Sequence, residues 1–584
     1  MVNIKINNRP LKVEEGTTIL EACRQNGIKV PTLCFLKDCN QVGACRVCVV
    51  EVKGARSLAA ACVYPVSENM EVLTHSTRAI EARKATVELI LSNHSKNCLS
   101  CVRNQTCELQ DLAQELNVRD VKFKGDLTPI TIDNFSNGIV RDTSKCVVCG
   151  RCVSTCQKVQ GLGVLGFENR GFKTIVAPVM NVSLSQVNCM QCGQCVIACP
   201  TGALHEKESI DEVIQALNNP RKHVVVQTAP AIRASLGEEF NLPIGTRVTG
   251  KMVCALKKIG FDRVYDTNYS ADLTIMEEGT EFIDRFTNQG VLPMITSCSP
   301  GWVRFIEFEY PELLDHLSTC KSPHMMFGAI LKSYYAKTKG INPEDMYVVS
   351  VMPCTAKKEE IERDEMIKNN IKDVDAVITT RELGKLIKMY GVDFNDLEED
   401  EFDQDMFGEY TGAGVIFGVT GGVMEAALRT VKEVLENKSF DEVNYEVIRG
   451  QIGVKEACLS IAGHDVWIAV ASSMNMARPL LEEIKNKTSK YAFIEIMGCP
   501  GGCINGGGQS IVSSKIKNDT KIDYRALRAK TLYDEDESLV IRKSHENPQI
   551  IALYDHFLGE PNSHLAHDLL HTTYHPRKRF KIEE

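Results

Sequence analysis

The sequence contains a duplicated cysteine run, CVVCGRCVSTC at residues 146–156 and CMQCGQCVIACP at residues 189–200. Each run has the spacing C-x2-C-x2-C-x3-C, in which three thiolates hold one 4Fe-4S cubane and the fourth Cys reaches the other cluster. A pair of zinc sites is the alternative, but zinc needs neither the third Cys nor a crossed fourth ligand. The first cluster is therefore predicted to bind Cys146, Cys149, Cys152 and Cys199, and the second Cys156, Cys189, Cys192 and Cys195.

Four cysteines nearer the N-terminus form a second kind of site. Cys45 and Cys48 make a C-x2-C that lies between Cys34 and Cys62, after a strand-rich start. The set resembles the plant-type ferredoxin loop that holds a 2Fe-2S cluster, with a longer gap before the C-x2-C. That longer gap is typical of ferredoxin-like domains in hydrogenases and respiratory NADH dehydrogenases. A structural zinc ribbon is the alternative.

A third kind of site follows an amphipathic helix. His94, Cys98, Cys101 and Cys107 have the spacing H-x3-C-x2-C-x5-C. A zinc site with three Cys and one His fits this spacing as well. The position among other cluster motifs favours a His-ligated 4Fe-4S cluster, which the same two families carry here. Four neighbouring cluster sites predict a chain of clusters that transfers electrons. The catalytic reaction is then expected in another part of the protein.

The composition is that of a globular protein, with 584 residues, 43% hydrophobic residues and a net charge of -9 at pH 7. The first residues, MVNIKINNRPLKV, lack the features of a signal peptide, and no apolar run reaches the ~18 residues of a membrane span. We therefore predict a cytoplasmic protein without membrane insertion, although export in complex with a partner stays open. Disulfides are then not expected among its 24 cysteines, and metal binding is the better explanation for so many of them. Nucleic acid binding has no support.

We predict a multidomain fold of the α+β and α/β classes. From about residue 210, apolar strands such as KHVVVQTAP alternate with amphipathic helices, which places sites at strand ends. The predicted units are a plant-ferredoxin-like β-grasp domain for the 2Fe-2S cluster (1–78), a one-His, three-Cys 4Fe-4S module (79–125), a bacterial two-cluster ferredoxin domain (126–209), a large two-lobed α/β catalytic domain (210–520) and a helical C-terminal tail (521–584).

Three downstream segments carry a resemblance to a known family. They are TSCSPGW at 296–302, MPCTAKKEE at 352–360 and EIMGCPGGCINGGGQ at 495–509. Together they resemble the signature segments of FeFe (iron-only) hydrogenases of the single-chain clostridial type, and the similarity covers nearly the whole chain. The resemblance implies a ferredoxin hydrogenase that interconverts protons plus electrons with H2. It also implies ferredoxin or flavodoxin as electron partner, and maturation proteins for a di-iron unit.

The resemblance implies an H-cluster, a 4Fe-4S cubane joined to a di-iron unit with CO, CN and azadithiolate ligands. Cys354, Cys499 and Cys503 match the family's cubane ligands, and Cys503 would also bridge to the di-iron unit. Lys357 matches the lysine that hydrogen-bonds a cyanide. The other cyanide would be held by backbone amides near Pro230 and Ala231, and the irons would be flanked by Met352 and Met497.

By the same resemblance, protons travel through Cys298, Glu278, Ser318 and Glu281. The two glutamates lie in TIMEEGTEF, whose helical spacing would also suit a solvated helix face. A relay of weak acids is the physical requirement for a proton path to a buried site.

The chain departs from the family pattern at several positions. Relatives commonly read TSCCPGW, where the second Cys ligates the cubane, but Ser299 stands there. Either a serine oxygen ligates the cluster, or Cys298 shifts to ligate it and the relay changes. Gly498, Ser510 and His324 also replace commoner Ala, Pro and Gln, and His324 could add a titratable group near the relay. Five cysteines are left over and are predicted to be small core residues: Cys23, Cys39, Cys254, Cys320 and Cys458.

Three alternatives to a ferredoxin hydrogenase stay open. An electron-transfer subunit of a respiratory dehydrogenase would share residues 1 to about 205 but has no reason to contain the three downstream segments. A non-catalytic iron-sulfur assembly protein would lack the di-iron unit. An H2 sensor, or the subunit of an NAD(P)-linked complex, would keep the fold. No glycine-rich dinucleotide motif is visible, so another subunit would have to bind nicotinamide.

Overall fold

The computed structural model describes residues 1–441, 443–450, 453–519 and 521–579. The N-terminal part is a mixed sheet in the order β2-β1-β5-β3-β4, in which β1 and β5 run parallel. One helix packs on it, and its start is capped by the Thr18 hydroxyl, which accepts from the backbone N–H of Glu21 at 3.2 Å. The elements are β1 (Val2–Ile6), β2 (Arg9–Val13), α1 (Ile19–Gln25), β3 (Val49–Val52), β4 (Ala59–Ala60) and β5 (Glu71–Leu73).

Two helices, α2 (Thr77–Ser92) and α3 (Glu108–Glu115), enclose the next cysteine-rich turn. The buried guanidinium of Arg83 donates two hydrogen bonds to the Val49 carbonyl, at 3.0 and 2.7 Å. This contact ties α2 to β3 and holds the turn against the first sheet.

The internal duplication is visible in the backbone of the following part. Gly150 (φ 78°) and Gly193 (φ 67°) each precede a short helix that carries the third cysteine of its run. This left-handed conformation favours glycine, which explains why both runs contain it at the same place. The elements are β6 (Ile132–Asp133), β7 (Ile139–Asp142), α4 (Arg151–Ser154), β8 (Gly166–Glu168), β9 (Ile175–Ala177), α5 (Gln194–Ala198) and β10 (Leu204–Glu206).

The larger part has two separate four-stranded sheets, in the orders β12-β11-β14-β17 and β13-β20-β19-β18. The first is all parallel, and in the second only the β18–β19 pair is antiparallel. The predicted mixed fold class with a two-lobed α/β catalytic part is therefore correct. The strands are β11 (His223–Thr228), β12 (Arg263–Asp266), β13 (Met294–Ile295), β14 (Met346–Met352), β15 (Ile367–Lys368), β16 (Ile371–Lys372), β17 (Ala376–Thr379), β18 (Lys455–Ile461), β19 (His464–Ser472) and β20 (Phe493–Met497).

Helices cover both sheets, as the alternating sequence pattern predicts. They are α6 (Ile210–Leu217), α7 (Thr249–Ile259), α8 (Thr267–Thr287), α9 (Pro300–Glu309), α10 (Pro323–Ile330), α11 (Ala336–Lys339), α12 (Lys357–Glu360), α13 (Thr380–Met389), α14 (Gly412–Ile416), α15 (Gly422–Glu436), α16 (Met474–Lys485) and α17 (Ser514–Lys517). Among the described residues, no helix has the length and apolar character that crossing a membrane requires.

The C-terminal tail is helical and contacts the large α/β part at several points. It comprises α18 (Tyr524–Ser538), α19 (Pro548–Leu553) and α20 (His564–Leu570). The Arg528 guanidinium donates to the Ile504 carbonyl at 2.8 Å and to the Glu238 carboxylate at 2.7 and 2.6 Å. Helix α18 thereby links two distant loops of the α/β part. Residues 580–584 of the predicted tail lie outside the described residues.

Candidate catalytic and cluster-binding sites

The cavity that holds the predicted catalytic residues lies where four parallel strands end. Strands β11 and β14 belong to one sheet and β13 and β20 to the other, and the segment after each contributes to the wall. Because the carboxyl ends of parallel strands meet at one edge, this is where an α/β fold places its ligands. The space between the lining residues, together with its opening to solvent, amounts to about 750 Å³. The three predicted cubane ligands all line it: Cys354, Cys499 and Cys503.

The donor set of this cavity fits a metal cluster. Burial raises the pKa of the Cys503 thiol to about 12, and the pKa of Cys354 and Cys499 rises for the same first reason. Three thiols with raised pKa values around one cavity lose their protons together only if a cation compensates the charge, which is what a metal cluster supplies. The loop around them also needs glycine, because a Cβ at Gly506 would lie 2.0 Å from the Pro353 carbonyl oxygen.

Lys357 reaches this cavity from the start of α12. Its ammonium donates to the Cys298 carbonyl at 3.1 Å and lies 2.8 Å from the Glu360 carboxylate. Burial raises the pKa of Glu360, but Lys357 and His324 lower it further, to about 2. This carboxylate is therefore ionised. Sequence reasoning missed Glu360, although its i,i+3 spacing from Lys357 on a helix was a usable signal.

His324 lies on the other side of Glu360. Its Nε2 is 2.7 Å from the Glu360 carboxylate and its Nδ1 is 3.2 Å from the Ser350 hydroxyl. Burial, and then Lys357, lower the pKa of His324 to about 4. The ring is therefore neutral and donates from Nε2 to Glu360. The side-chain contacts of His324 are with Glu360 and Ser350, and the residue lines the same cavity as Cys298.

The residues predicted to surround the di-iron unit lie in or directly behind the cavity wall. Pro230, Met352 and Met497 line the cavity. Ala231 is fully buried behind Pro230, and its carbonyl accepts from the Gln509 side chain at 3.0 Å. Gln509 also donates to the Cys503 carbonyl at 3.2 Å, so it ties the Pro230 loop to the Cys503 loop. Sequence reasoning gave no role to Gln509.

The predicted relay residues lie beside the cavity, on α8 and the loops that follow β13. Cys298 lines the cavity, and burial raises the pKa of its thiol. Glu278 is fully buried, and neither carboxylate oxygen has a hydrogen-bond partner among the described residues. Burial raises its pKa to about 8, against the effect of the nearby Ser318 hydroxyl, so Glu278 is protonated at neutral pH. The Ser318 hydroxyl donates to Glu281 at 3.2 Å.

The glutamates of α8 do not form a solvated face. Glu277 and Glu278 are 0% exposed and Glu281 is 9% exposed. The Arg285 guanidinium donates to Glu281 at 2.6 Å from the next turn of the helix. The interpretation of TIMEEGTEF as a solvent-facing stretch is therefore wrong.

Ser299 also lines the cavity, next to Cys298. Its hydroxyl accepts a hydrogen bond from the backbone N–H of Gly498 at 3.1 Å. The structure thus brings both candidates for the fourth cubane ligand to the wall that carries Cys499.

The N-terminal cysteines converge in pairs. The sulfur atoms of Cys48 and Cys62 are 3.3 Å apart, and Cys34 and Cys45 interact closely enough to raise the pKa of Cys34 and lower that of Cys45. Such close thiols fit a site that needs four sulfur ligands within one loop region.

The predicted site with one His and three Cys, the second accessory site along the chain, is a cavity between α2 and α3. His94, Cys98, Cys101 and Cys107 all line it. The Nδ1 atom of His94 is buried and has no hydrogen-bond partner among the described residues. A buried nitrogen without a partner is unfavourable unless a ligand satisfies it, so this donor set fits a metal site with one imidazole.

The duplicated runs exchange their fourth cysteines. Cys199 lines one cavity with the three leading cysteines of the first run, Cys146, Cys149 and Cys152. Burial raises the thiol pKa of the three leading cysteines of the second run, and the nearby Cys156 adds to that rise in each of them: Cys189, Cys192 and Cys195. The fold therefore brings together two sets of four thiols, each with one member from the other run.

The leftover cysteines differ in their environments. Cys23, Cys39 and Cys320 are buried, as predicted, but Cys254 is half-buried and Cys458 is exposed on β18. The core prediction is wrong for Cys458, whose side chain alternates outward on an edge strand.

Five family models match successive parts of the chain. They are 2Fe-2S iron-sulfur cluster binding domain (1–77), NADH-ubiquinone oxidoreductase-G iron-sulfur binding region (83–122), 4Fe-4S dicluster domain (145–203), iron only hydrogenase large subunit, C-terminal domain (222–507) and iron hydrogenase small subunit (522–577).

Similar proteins agree with these models. The NADP-reducing hydrogenase subunit HndD of Solidesulfovibrio fructosivorans is 48% identical, over 99% of this chain and 100% of the relative. Iron hydrogenase 1 of Clostridium pasteurianum is 43% identical, over 98% of this chain and 100% of the relative. The solved structure of the [FeFe]-hydrogenase HydA1 from Chlamydomonas reinhardtii is 38% identical with a TM-score of 0.56, covering 63% of this chain and 99% of that one. The chain therefore belongs to the iron-only hydrogenases, oxidoreductases that act on H2, and it carries additional iron-sulfur domains.

Proposed function

We propose that this hydrogenase exchanges electrons with ferredoxin or flavodoxin through one 2Fe-2S cluster and three accessory 4Fe-4S clusters. The observation that carries the proposal is the convergence of Cys354, Cys499, Cys503 and Lys357 on one cavity at the strand ends of two sheets. The proposed units are those predicted from the sequence: 1–78, 79–125, 126–209, 210–520 and 521–584.

The cavity residues would hold an H-cluster, the 4Fe-4S cubane joined to a di-iron unit with CO, CN and azadithiolate ligands. When bound, that group supplies the site at which protons and electrons combine to H2. The cubane ligands are Cys354, Cys499, Cys503 and Ser299. Lys357, the amides near Pro230 and Ala231, and the side chains of Met352 and Met497 would hold the di-iron unit. Lys357 suits an anionic ligand because it is a buried cation, and the buried Glu360 carboxylate keeps its ammonium in place.

The proton path consists of Glu281, Ser318, Glu278 and Cys298. Glu281 is at the outer end, since it is 9% exposed. The Ser318 hydroxyl lies 3.2 Å from the Glu281 carboxylate. It accepts a proton from Glu281 and releases its own hydroxyl proton toward Glu278. Glu278 holds a proton at neutral pH because burial disfavours its charged form. The Cys298 thiol on the cavity wall is the innermost group of the path.

Electrons would pass between the accessory sites and the cavity through the duplicated part. Gly193 and Gly507 pack so closely that a Cβ on Gly193 would lie 2.8 Å from the Gly507 Cα. This contact brings the loop of Cys192 and Cys195 against the loop of Cys503. A protein electron carrier would then dock near one of the accessory sites.

Infrared spectroscopy of the protein, produced with its maturation proteins, tests the proposal. Bands from iron-bound CO and CN, together with H2 evolution from reduced ferredoxin, are the expected result. Absence of these bands after maturation that loads another iron-only hydrogenase would favour a non-catalytic assembly role. H2 evolution that accepts electrons from an artificial donor but not from ferredoxin or flavodoxin would overturn the partner assignment.

A second candidate is a subunit of a larger NADP-linked complex. It is favoured by the 48% identity to a relative named as an NADP-reducing hydrogenase subunit. Purification from the native cells separates the two: a lone chain with ferredoxin-dependent turnover supports the first candidate. Co-purification with a flavin- and nicotinamide-binding protein, with H2-dependent NADP reduction, supports the second.

A further inference from the structure

The C-terminal tail places two histidines at the outer end of the proton path. His571 directly follows α20, and its Nδ1 lies 2.7 Å from the Thr319 hydroxyl. The same hydroxyl lies 3.1 Å from the Glu281 carboxylate. A continuous chain of hydrogen-bonding groups therefore runs from the tail to Glu281.

The second histidine packs between this chain and solvent. The ring of His567 stacks on that of His571, with centroids 4.4 Å apart and an angle of 8° between the planes. His571 is buried and His567 is exposed. The two rings thus lead from the protein surface to the buried Thr319 contact.

A threonine hydroxyl between an imidazole and a carboxylate can pass a proton. Its oxygen accepts the proton from His571 Nδ1 while its own O–H proton goes to Glu281, so one N–H bond and one O–H bond break and two O–H bonds form. The neutral imidazole then takes up the next proton on a ring nitrogen from water at its edge, since 7% of His571 stays exposed. Arg285, the other charged partner of Glu281, cannot do this because a guanidinium does not release its proton in proteins. Histidine is the side chain that gains and loses a proton near neutral pH.

The carboxylate of Glu277 holds the His571 ring from the side opposite Thr319. The ring Nε2 is 3.0 Å from the carboxylate of Glu277, which is fully buried. Glu277 also accepts from the Tyr554 hydroxyl and, at 2.9 Å, from the Asn562 backbone N–H. A carboxylate held in this way fixes the orientation of the imidazole through Nε2. Besides His567, Glu281 and Cys320 also place ionisable atoms within 4.8 Å of this ring.

We propose that His571 and His567 collect protons for the relay and deliver them to Glu281 through Thr319, with Glu277 as the positioning residue. The small-subunit-like tail would then take part in proton supply in addition to stabilising the fold. This inference rests on the proposed relay through Glu281.

The test uses matured holoenzyme and measures H2 evolution at low and high buffer concentration. In Thr319→Val, the hydroxyl is lost but the tail is untouched. Its turnover at low buffer should fall about tenfold, less than the ~10²–10⁴ supplied by a directly acting acid or base, because Glu281 is slightly exposed. Added buffer should restore the rate by protonating Glu281 directly. Thr319→Ser should behave as wild type, and His571→Gln as Thr319→Val.

His556→Gln, which changes an exposed histidine of the same tail, serves as the control and should leave both rates unchanged. Infrared bands establish that each variant holds its di-iron unit. Wild-type turnover and wild-type buffer dependence in loaded Thr319→Val would overturn the inference, even if His571→Gln fails to fold. Wild-type protein that has neither bands nor turnover would instead contradict the proposed function, so the two failures are distinguishable.

Discussion

The Ser299 hydroxyl and the Gly498 amide form a hydrogen bond of 3.1 Å, which joins the residue after Cys298 to the residue before Cys499. Both are positions where the chain departs from the common family sequence. A Cβ at Gly498 would lie 3.1 Å from Ser299 Oγ, which is tighter than ordinary contact. The absence of a side chain at Gly498 therefore leaves room for the Ser299 hydroxyl, and the two departures are coupled.

The first prediction concerns the fourth cubane ligand. If Ser299 ligates and Cys298 carries protons, Cys298→Ala should keep the cubane but lower turnover by about 10²-fold or more. Ser299→Ala should lose the cubane, and Ser299→Cys should keep it, because thiolate is a better partner for iron-sulfur clusters than a serine oxygen. Iron analysis and electron paramagnetic resonance of protein matured without the di-iron unit distinguish these outcomes. Loss of the cubane in Cys298→Ala would give the ligand role to Cys298.

The second prediction concerns the outer relay. Glu281→Gln removes an acid that accepts from Ser318 and Arg285, so turnover should fall by ~10²–10⁴ while the infrared bands of the site persist. Asp284→Asn changes an exposed carboxylate on the same helix and should leave turnover unchanged. Near-normal turnover of a loaded Glu281→Gln variant would exclude Glu281 from the path.

The third prediction concerns the imidazole of the second accessory site. His94→Ala removes the nitrogen that has no protein partner, so the variant should lose about four iron atoms per chain, those of one 4Fe-4S cluster. His94→Cys should keep the iron and lower the cluster potential, since a thiolate adds negative charge. Iron analysis and a redox titration followed by electron paramagnetic resonance measure both effects. Unchanged iron content in His94→Ala would mean that the imidazole is not a ligand.

The fourth prediction is a pH dependence of stability. Burial and Lys357 lower the pKa of His324 from 6.5 to about 4. Between these pH values the unfolded chain binds a proton that the folded protein does not, so the free energy of unfolding decreases as pH falls from about 6.5 toward 4. The full effect is on the order of 3 kcal/mol, at ~1.36 kcal/mol for each pH unit.

His324→Gln should remove that part of the pH dependence while keeping a hydrogen-bonding side chain beside Glu360. Thermal unfolding midpoints of the wild type and the variant, measured at pH 7 and pH 4.5, give the comparison. His464→Gln, at an exposed position on the β18–β19 hairpin, is the matched control and should follow the wild type. Parallel curves for wild type and His324→Gln would contradict the prediction.

Local patterns made much of this fold and of its sites predictable from the sequence. Cysteine spacing gives sets of ligands because thiolates that hold one cluster must be close together in a loop, as with Cys146, Cys149 and Cys152. Alternating strands and helices predict sites at strand ends, and Cys354 and Cys499 each lie two residues after a strand. These relationships depend on neighbours within a few residues.

Contacts between distant segments were not predictable in the same way. The sequence does not state that His324 bonds Glu360, or that Gln509 joins Ala231 to Cys503. It also gives no sign that His571 meets Thr319, across 252 residues. Such pairs depend on how two sheets and the tail pack, which no periodicity encodes. Charged residues on α8 illustrate the problem, because their spacing is the same on a solvated and on a buried face.

The bridge that Arg528 makes between Glu238 and Ile504 bears on the order in which the chain becomes functional during translation. Residues up to about 209 contain all the predicted ligands of every proposed accessory site and can fold while synthesis continues. The bridge cannot form until Arg528 has left the ribosome, nearly at the end of the chain. The N-terminal part with the accessory sites is therefore complete first. The contact between the tail and the loops of the catalytic cavity forms last.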